Sequence, residues 1–309
     1  MTDRNHTMPH VHILGSSSAT PTATRHPSAQ VLSLADQLFL IDCGEGTQMQ
    51  FRRFRVRAQR IQHIFISHLH GDHYLGLPGL IFTLHLFGRR EALHIYANPE
   101  LEKILNHILE VSATTLLFPL HFHPLPEDFS GIVLENEKMS VTAFPLKHRV
   151  PTHGFLFKTK PALRKIRRQS TEKLGLSSEQ YRSIREGNDL LTAGGELIPN
   201  RSLTDDPPPV KTYAYCSDTG FTDSFLKHIM GVDLLYHEAT FMKDKEANAR
   251  EKEHSTTIDA ATIALKAGAR KLLIGHYSAR YDELQPVLDE ARTVFPETYL
   301  AEEGSVISF

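Results

Sequence analysis

Four potential metal ligands fall within six consecutive residues, at His68, His70, Asp72 and His73. They follow an apolar segment at 64–66 that predicts a β-strand, and a glycine inside the run allows a sharp bend. Buried polar groups without partners are costly, so four of them this close together cannot all point into a core. At the end of a strand they can converge on divalent ions, and the run therefore predicts a metal site at a sheet edge.

Composition narrows the class of protein. The chain has 309 residues, enough for one large core, and its 19 histidines again favour metal binding. The net charge of -2, from 34 basic and 36 acidic residues, neither indicates nor excludes a nucleic-acid partner. Two cysteines and a polar stretch at 1–10 predict a cytoplasmic protein without a secretory leader. We expect no membrane partner, because no segment has the ~18 continuous apolar residues of a spanning helix.

Short apolar segments alternate with helical patterns in both halves of the chain, which predicts a layered α/β architecture. The predicted helices cover about 47–57, 100–110, 256–266 and 283–294. Thr256 and Asp259 fit a capping box at the start of the third helix. Residues 158–209 lack core periodicity, so we expect a single domain over 1–309 with an inserted arm at 158–209.

Three further candidate ligands, His148, Asp218 and His276, each follow a short apolar strand. Each alone is weak support, because a surface histidine or a turn aspartate is the common alternative. With the run at 68–73 and in this order, they resemble the ligands of the metallo-β-lactamase superfamily. The resemblance implies a four-layer αββα sandwich. It also implies one ion on His68, His70 and His148, another on Asp72, His73 and His276, and Asp218 bridging both.

The chemistry of these ligands bears on which metal they hold. Nitrogen and oxygen donors without a thiolate favour two zinc ions per subunit, with manganese or iron as alternatives. Cys216 lies two residues before Asp218, so a ligand role is conceivable. On a strand it would share the face of the aspartate one repeat further back, and we favour a buried spacer.

Several other segments resemble the ribonuclease Z family of that superfamily. They are Leu14-Gly-Ser-Ser-Ser-Ala-Thr-Pro-Thr, Ile41-Asp-Cys-Gly-Glu-Gly-Thr-Gln, His237-Glu-Ala-Thr-Phe, His254-Ser-Thr and Tyr277-Ser-Ala-Arg-Tyr. Together the matches cover nearly the whole chain apart from the arm. The resemblance implies an endoribonuclease that cuts the 3′ end of precursor tRNA, leaving a 3′-hydroxyl on the tRNA and a 5′-phosphate on the trailer.

Phosphodiester hydrolysis needs a nucleophile, charge neutralisation and a proton for the departing oxygen, and two metal ions supply the first two. Asp72 is expected to accept the proton of the attacking water. The ribose 3′-oxygen leaves as a poor anion, so we expect His254, oriented by Glu238, to act as a general acid. Structural roles for Glu238 and His254 at the surface are the alternative.

The arm begins with seven basic residues against one acid between 158 and 173. The resemblance implies that it grips the elbow of tRNA through phosphates, whereas an ordinary solvated face is the alternative. The residues expected to bind substrate are Arg164, Lys165, Arg167, Arg168 and, in the last motif, Arg280. A second basic stretch at 52–60 either lines the path of the acceptor stem or is an exposed helix face.

Two other functions remain open from the sequence. A small-molecule hydrolase of the same fold, such as an arylsulfatase, lactonase or thioesterase, would explain the ligands but not the arm or the segments at 237–241 and 254–256. A catalytically silent tRNA-binding protein would not need a complete ligand set. The resemblance also implies a homodimer.

Overall fold

A computed structural model describes residues 8–192 and 194–309. The expectation about a leader falls mainly on residues 1–7, which lie outside the described residues. The chain divides into a larger unit, with the described residues up to 135, 140–158 and 211–309, and a smaller one, 136–139 and 159–210. Among the described residues, no helix combines the length and the apolar character needed to cross a membrane.

Strands and helices alternate along both units. The strands are β1 (His10–Gly15), β2 (Ala29–Leu34), β3 (Gln37–Ile41), β4 (Ile61–Phe65), β5 (Leu93–Ala97), β6 (Leu120–Pro124), β7 (Gly131–Glu135), β8 (Met139–Pro145), β9 (His153–Thr159), β10 (Lys165–Ile166), β11 (Leu190–Leu191), β12 (Leu197–Ile198), β13 (Thr204–Asp205), β14 (Thr212–Cys216), β15 (Leu234–Glu238), β16 (Lys271–Gly275), β17 (Thr298–Leu300) and β18 (Val306–Ser308). The helices are α1 (Thr47–Arg53), α2 (Gly71–Tyr74), α3 (Gly76–Leu86), α4 (Glu100–Val111), α5 (Arg168–Thr171), α6 (Ser178–Arg185), α7 (Asn200–Leu203), α8 (Leu226–Ile229), α9 (Glu246–Lys252), α10 (Thr257–Ala267) and α11 (Gln285–Arg292). Short 3-10 turns cover Ala58–Arg60 and Lys243–Lys245.

Two sheets of seven strands form the larger unit, as far as its residues are described. The first has the order β18-β1-β2-β3-β4-β5-β6, and β3, β4, β5 and β6 are parallel. The second has the order β17-β16-β15-β14-β9-β8-β7, and β14, β15, β16 and β17 are parallel. In each parallel part, the carboxyl ends of neighbouring strands meet at one edge, where loops can carry a site.

Side chains alternate across the first sheet, so its two faces bury different residues. On the inner face, Phe39 and Phe65 meet Phe155 and Phe157 of β9, with ring centroids 5.2 to 5.5 Å apart. On the outer face, Leu40 packs in a cluster with apolar residues of α1, α3 and α4. The second sheet packs in the same way against α8, α10 and α11. These four layers confirm the αββα architecture that the resemblance implied.

The smaller unit has its own core. Ile184, Leu190 and Leu203 are buried together among partly buried apolar residues from α6 and the pairs β10–β13 and β11–β12. Residues 158–209 therefore contain a small core although their sequence shows no core periodicity. The few apolar residues come from elements of two to eight residues, so no sequence window is long enough to show a period.

Two of the predicted helices have ends that differ from the predictions. The first helix ends at Arg53 rather than near 57, and Arg55 has a left-handed φ of 57° that does not continue a helix. The last helix is shorter than predicted at both ends. The capping box is confirmed, because the Thr256 hydroxyl accepts from the Asp259 amide while the Asp259 carboxylate accepts from the Thr256 amide.

Candidate metal centre

The seven predicted ligands come together, although they span more than two hundred residues of sequence. The run at 68–73 follows β4, and the remaining three ligands follow β8, β14 and β16. Their donor atoms form one group of His68, His70, His148 and Asp218, and another of Asp72, His73 and His276. Each group is close enough to hold one metal ion.

In the first group, His70 Nδ1 lies 3.0 Å from His68 Nε2 and 3.3 Å from His148 Nε2. The Oδ2 atom of Asp218 lies 3.5 Å from His68 Nε2 and 3.8 Å from His148 Nε2. Four ligands on a zinc ion at about 2.1 Å in tetrahedral geometry lie about 3.4 Å from one another. The observed separations therefore match a single four-coordinate ion.

In the second group, Asp72 Oδ2 lies 3.4 Å from His73 Nε2 and 3.3 Å from His276 Nε2. The two imidazole Nε2 atoms are 3.3 Å apart. The Oδ1 atom of Asp218 lies 3.4 Å from His73 Nε2 and 3.2 Å from His276 Nε2. Since Asp218 presents one oxygen to each group, its carboxylate has the geometry of a bridge between two ions.

Two properties of the side chains in these groups favour the binding of metal cations. Asp218 Oδ1 is buried, and among the described residues no hydrogen bond reaches it. Burial lowers the pKa of His68 to about 4 and also lowers that of His148, so both offer lone pairs at neutral pH. Burial also lowers the pKa of His73, but the carboxylates of Asp72 and Asp218 outweigh it and raise that pKa well above its usual range. This concentration of negative charge suits a dinuclear metal site.

Asp42 orients one of the ligands and was not predicted as a functional residue. It follows β3, and its buried carboxylate accepts from His73 Nδ1 at 2.8 Å and from the Ser67 amide at 2.7 Å. The hydroxyl of Tyr215 donates to the same carboxylate at 2.6 Å. Because the carboxylate only accepts, His73 Nδ1 donates to it, which would leave Nε2 to bind a metal ion.

Thr240 links a metal ligand to Glu238. Its hydroxyl lies 2.7 Å from Glu238 Oε2 and 2.9 Å from His276 Nδ1. The single hydroxyl proton goes to the carboxylate, so the hydroxyl accepts from His276 Nδ1, which would leave the Nε2 lone pair for a metal ion. The ring of His148 is oriented in the same way, because its Nδ1 donates to the carbonyl oxygen of Glu253 at 2.9 Å.

Glu238 and His254 form a buried pair beside the centre. His254 Nδ1 lies 2.9 Å from Glu238 Oε1, and a donor atom of His254 lies within 4.8 Å of those of Asp218 and His276. Burial lowers the pKa of His254, but the Glu238 carboxylate outweighs it and raises that pKa to about 9. Glu238 is fully buried and also accepts the amides of Thr219, Thr240 and Ser255. Hydrogen bonds therefore fix the Glu238 carboxylate, and His254 Nδ1 is engaged with it.

The metal centre lies in a cleft of about 340 Å³, whose lining includes Asp72, His254 and Arg149. A neighbouring cavity extends this lining to Lys252 and Arg280. The guanidinium of Arg280 lies 5.1 Å from the ring centroid of Phe241, where it faces this cavity. Arg280 was expected to bind substrate, whereas Arg149 and Lys252, which line the same cavities, were not predicted. The position of Arg149 directly after a ligand was the available signal.

The four predicted substrate-binding residues of the arm differ in how they are engaged. Arg164 and Arg167 pair with the two aspartates at 205–206, at 2.5 and 2.7 Å. These pairs offset part of the positive charge of the arm. Lys165 and Arg168 are exposed on the same short segment.

Two other sequence candidates lie away from the centre. Cys216 is buried in β14 and, of the described residues, the groups able to hold a metal do not include it. The basic stretch at 52–60 is exposed and leads into the amino end of β4, whereas the ligands follow its carboxyl end. The five residues of β4 separate the two by about 17 Å at ~3.3 Å each. A contact of this stretch with the acceptor stem stays a prediction.

The facing sheets and the ligands at their edge define a metallo-β-lactamase-fold metal hydrolase. A metallo-β-lactamase-fold protein from Bacillus subtilis has the same fold, with a TM-score of 0.68 and 21% identity over 98% of this chain and 100% of that chain. A family model described as Anti-Pycsar protein Apyc1 matches residues 10–159.

Closer relatives identify the family. Ribonuclease Z of Porphyromonas gingivalis W83 is 47% identical over 293 residues, which are 95% of this chain and 96% of the relative. Ribonuclease Z of Bacteroides fragilis is 46% identical over 96% of this chain and 98% of the relative. The solved structure of human tRNase Z, short form, has a TM-score of 0.70 and 29% identity over 97% of this chain and 98% of that chain. The chain belongs to the ribonuclease Z family.

Proposed function

We propose that the chain hydrolyses the phosphodiester at the 3′ end of precursor tRNA. The reaction uses two divalent metal ions, and zinc is the first candidate for both. The products are a tRNA with a 3′-hydroxyl and a trailer with a 5′-phosphate. The observation that carries this proposal is the bridging geometry of Asp218 between two ligand groups, in a chain of the ribonuclease Z family. The family relatives weigh against a small-molecule hydrolase.

The protein supplies the groups that handle protons on the attacking side. Two bound ions would lower the pKa of a water from far above neutrality to about 7 and would neutralise charge on the phosphate. The amide of Ala19 donates to Asp72 Oδ2 at 2.7 Å, and this oxygen also faces the second ligand group. The fixed carboxylate keeps its other oxygen available, and Asp72 accepts the proton of the attacking water there.

On the leaving side, His254 donates a proton from Nε2 to the ribose 3′-oxygen. Glu238 holds its Nδ1 at 2.9 Å, which fixes the ring and supports the positive charge before transfer. Arg149, Lys252 and Arg280 line the cavities at this end and bind phosphates that flank the cut.

A cleavage assay tests the proposal directly. The protein is incubated with a precursor tRNA and, separately, with bis(p-nitrophenyl) phosphate, and the RNA ends are mapped. We expect a single cut at the tRNA 3′ end with the hydroxyl and phosphate as stated. Turnover of the small ester with an intact precursor would favour a small-molecule hydrolase instead. Metal-free protein that still binds tRNA would favour a silent binding protein.

The assembly and location of the protein are further parts of the proposal. Membership of the ribonuclease Z family supports a homodimer, and symmetric dimers are the commonest oligomers. Light scattering of the purified protein should give twice the mass of one chain. A tRNA substrate and two free, buried cysteines support a reducing, cytoplasmic setting.

We predict that Thr240→Val weakens binding of the second metal ion by about 10- to 100-fold, the usual effect of removing a partner of a ligand. Valine has nearly the same shape, but it cannot accept from His276 Nδ1 or donate to Glu238. Thr240→Ser keeps both hydrogen bonds and serves as the control. Competition with a chelator measures the affinity. Equal affinities for the valine and serine variants would remove Thr240 from the metal site.

We also predict that Lys165→Glu or Arg168→Glu weakens tRNA binding and lowers the salt slope of log Kd by about one per lost phosphate contact. Hydrolysis of bis(p-nitrophenyl) phosphate should stay unchanged, because the metal centre is untouched. Lys103→Glu, on the exposed side of α4, makes the same charge change and is the control. If the arm variants behave like Lys103→Glu, the arm does not grip tRNA phosphates.

A further inference from the structure

A turn at 278–281 carries Arg280 into the cavity beside the metal centre. The turn begins two residues after the ligand His276 and is closed by the Tyr281 amide, which donates to the Ser278 carbonyl oxygen at 3.1 Å. Arg280 is its third residue, and the Nε of Arg280 donates to the Ser278 hydroxyl at 3.0 Å. The direction of the Arg280 guanidinium therefore depends on how this turn is held.

Arg25 binds both ends of the turn, although it lies 256 positions away from Tyr281 in the sequence. Its Nη1 donates to the Tyr281 carbonyl oxygen at 2.6 Å, and its Nη2 donates to the Ser278 carbonyl oxygen at 3.4 Å. The backbone of Arg25 is itself fixed, because its amide donates to the Thr22 hydroxyl at 2.9 Å and its carbonyl oxygen accepts from the Thr22 amide at 2.8 Å. A planar guanidinium on a fixed backbone can hold two acceptors in one arrangement.

The segment that follows β15 also supports the turn, through other atoms. The Ser278 amide donates to the Thr240 carbonyl oxygen at 3.2 Å. The Met242 amide donates to the Tyr281 hydroxyl at 2.9 Å. Neither of these hydrogen bonds uses the two carbonyl oxygens that Arg25 binds. Arg25 therefore adds a second, independent support to the turn.

The position of Arg25 costs free energy, which argues for a specific use. Arg25 is only 8% exposed, and a guanidinium keeps its charge when it is buried. Within the described residues, both hydrogen bonds of the guanidinium go to this turn, and its Nε is buried without a partner. The acidic residues that line the same cavity offset part of the charge, and they are Asp282, Glu283, Glu302 and Glu303. A charged donor fork at this position is explained by the geometry that it gives to the turn.

We propose that Arg25 is a positioning residue, which holds the turn so that Arg280 faces the substrate cavity and binds a phosphate beside the cut. Arg25 lines a different cavity from Arg280, so it acts through the turn rather than on the RNA. This inference rests on the proposed cleavage of precursor tRNA. Loss of Arg25 should weaken the binding of the precursor rather than slow the chemical step, because the contact that it supports lies beside the reacting phosphate.

A double-mutant cycle on the cleavage of precursor tRNA tests this inference. Arg25→Gln and Arg280→Ala should each raise KM by about tenfold, the usual effect of losing one hydrogen bond to a charged group, and the loss should appear in KM rather than in kcat. The double variant should have the KM of Arg280→Ala alone, because both residues serve one contact. Arg292→Gln also loses a hydrogen bond to a main-chain carbonyl oxygen, and as the matched control it should keep the wild-type KM.

A purely structural role for Arg25 is the competing explanation. Arg25→Gln would then disturb His276 in the same loop, so bound metal and kcat would fall, and the effects of the two substitutions would multiply. Either result would overturn the inference. If Arg25→Gln does not fold, the cycle is run with Arg25→Lys, which replaces the planar fork by a point donor and should show the same lack of additivity.

The outcome for the wild type separates this inference from the proposed function. Wild-type protein that leaves precursor tRNA intact would overturn both. Multiplied effects in a protein that cleaves the precursor would overturn the role of Arg25 alone.

Discussion

Asp218→Ala is expected to reduce cleavage of precursor tRNA by more than about 10⁴-fold, since two-ion activation of water is lost. One oxygen of this carboxylate faces His68 and His148, and the other faces His73 and His276. Alanine removes a ligand from both groups at once. It also leaves the imidazoles without the negative charge between them. We therefore expect both ions to bind more weakly.

Two measurements check this prediction on the same preparation. Single-turnover cleavage reports the rate, and metal analysis after dialysis reports the bound ions, which should fall below those of the wild type. Asp223→Asn is the control, since this exposed aspartate pairs with Lys266 at 2.9 Å outside the cleft. Binding of precursor tRNA should be largely retained. Wild-type turnover of Asp218→Ala would contradict the ligand assignment and the hydrolytic mechanism with it.

The parts of the fold that were predictable are those with a local signal. The helix predicted at about 100–110 is α4 (Glu100–Val111), because its apolar residues recur at helical spacing. The seven ligands were accessible for a related reason. Each lies in the segment that follows an apolar strand, and the ends of strands are where an α/β sheet places its site. A short sequence pattern was sufficient to predict both the element and the ligands.

The outer layer of the metal centre was not predictable, because it depends on contacts between distant segments. Asp42 accepts from Tyr215 across 173 positions, and nothing near either residue indicates the other. Thr240 connects Glu238 with His276 only after β15 and β16 have paired. The engagement of Arg164 and Arg167 with aspartates forty residues away was hidden in the same way. The sequence shows the positive charge of these arginines but not the aspartates with which they pair.

His254→Ala is expected to slow cleavage of precursor tRNA by about 10²- to 10⁴-fold, the usual contribution of a general acid. The ribose 3′-oxygen leaves as a poor anion and needs the proton that His254 donates. Nitrophenolate, by contrast, is a stable anion that leaves unaided. The same variant should therefore hydrolyse bis(p-nitrophenyl) phosphate within about tenfold of the wild type.

The ratio of these two losses distinguishes general acid catalysis from a structural role. A His254→Ala variant that had damaged the metal centre would lose both activities together and would bind less metal. Glu238→Gln should follow the same pattern with a smaller effect on the RNA, because the amide holds the His254 ring without supporting its positive charge. Equal losses on the two substrates would remove His254 from proton transfer. The Glu238–His254 pair would then be a brace for the neighbouring ligands His148 and His276, whose rings lie 5.1 and 5.5 Å from that of His254.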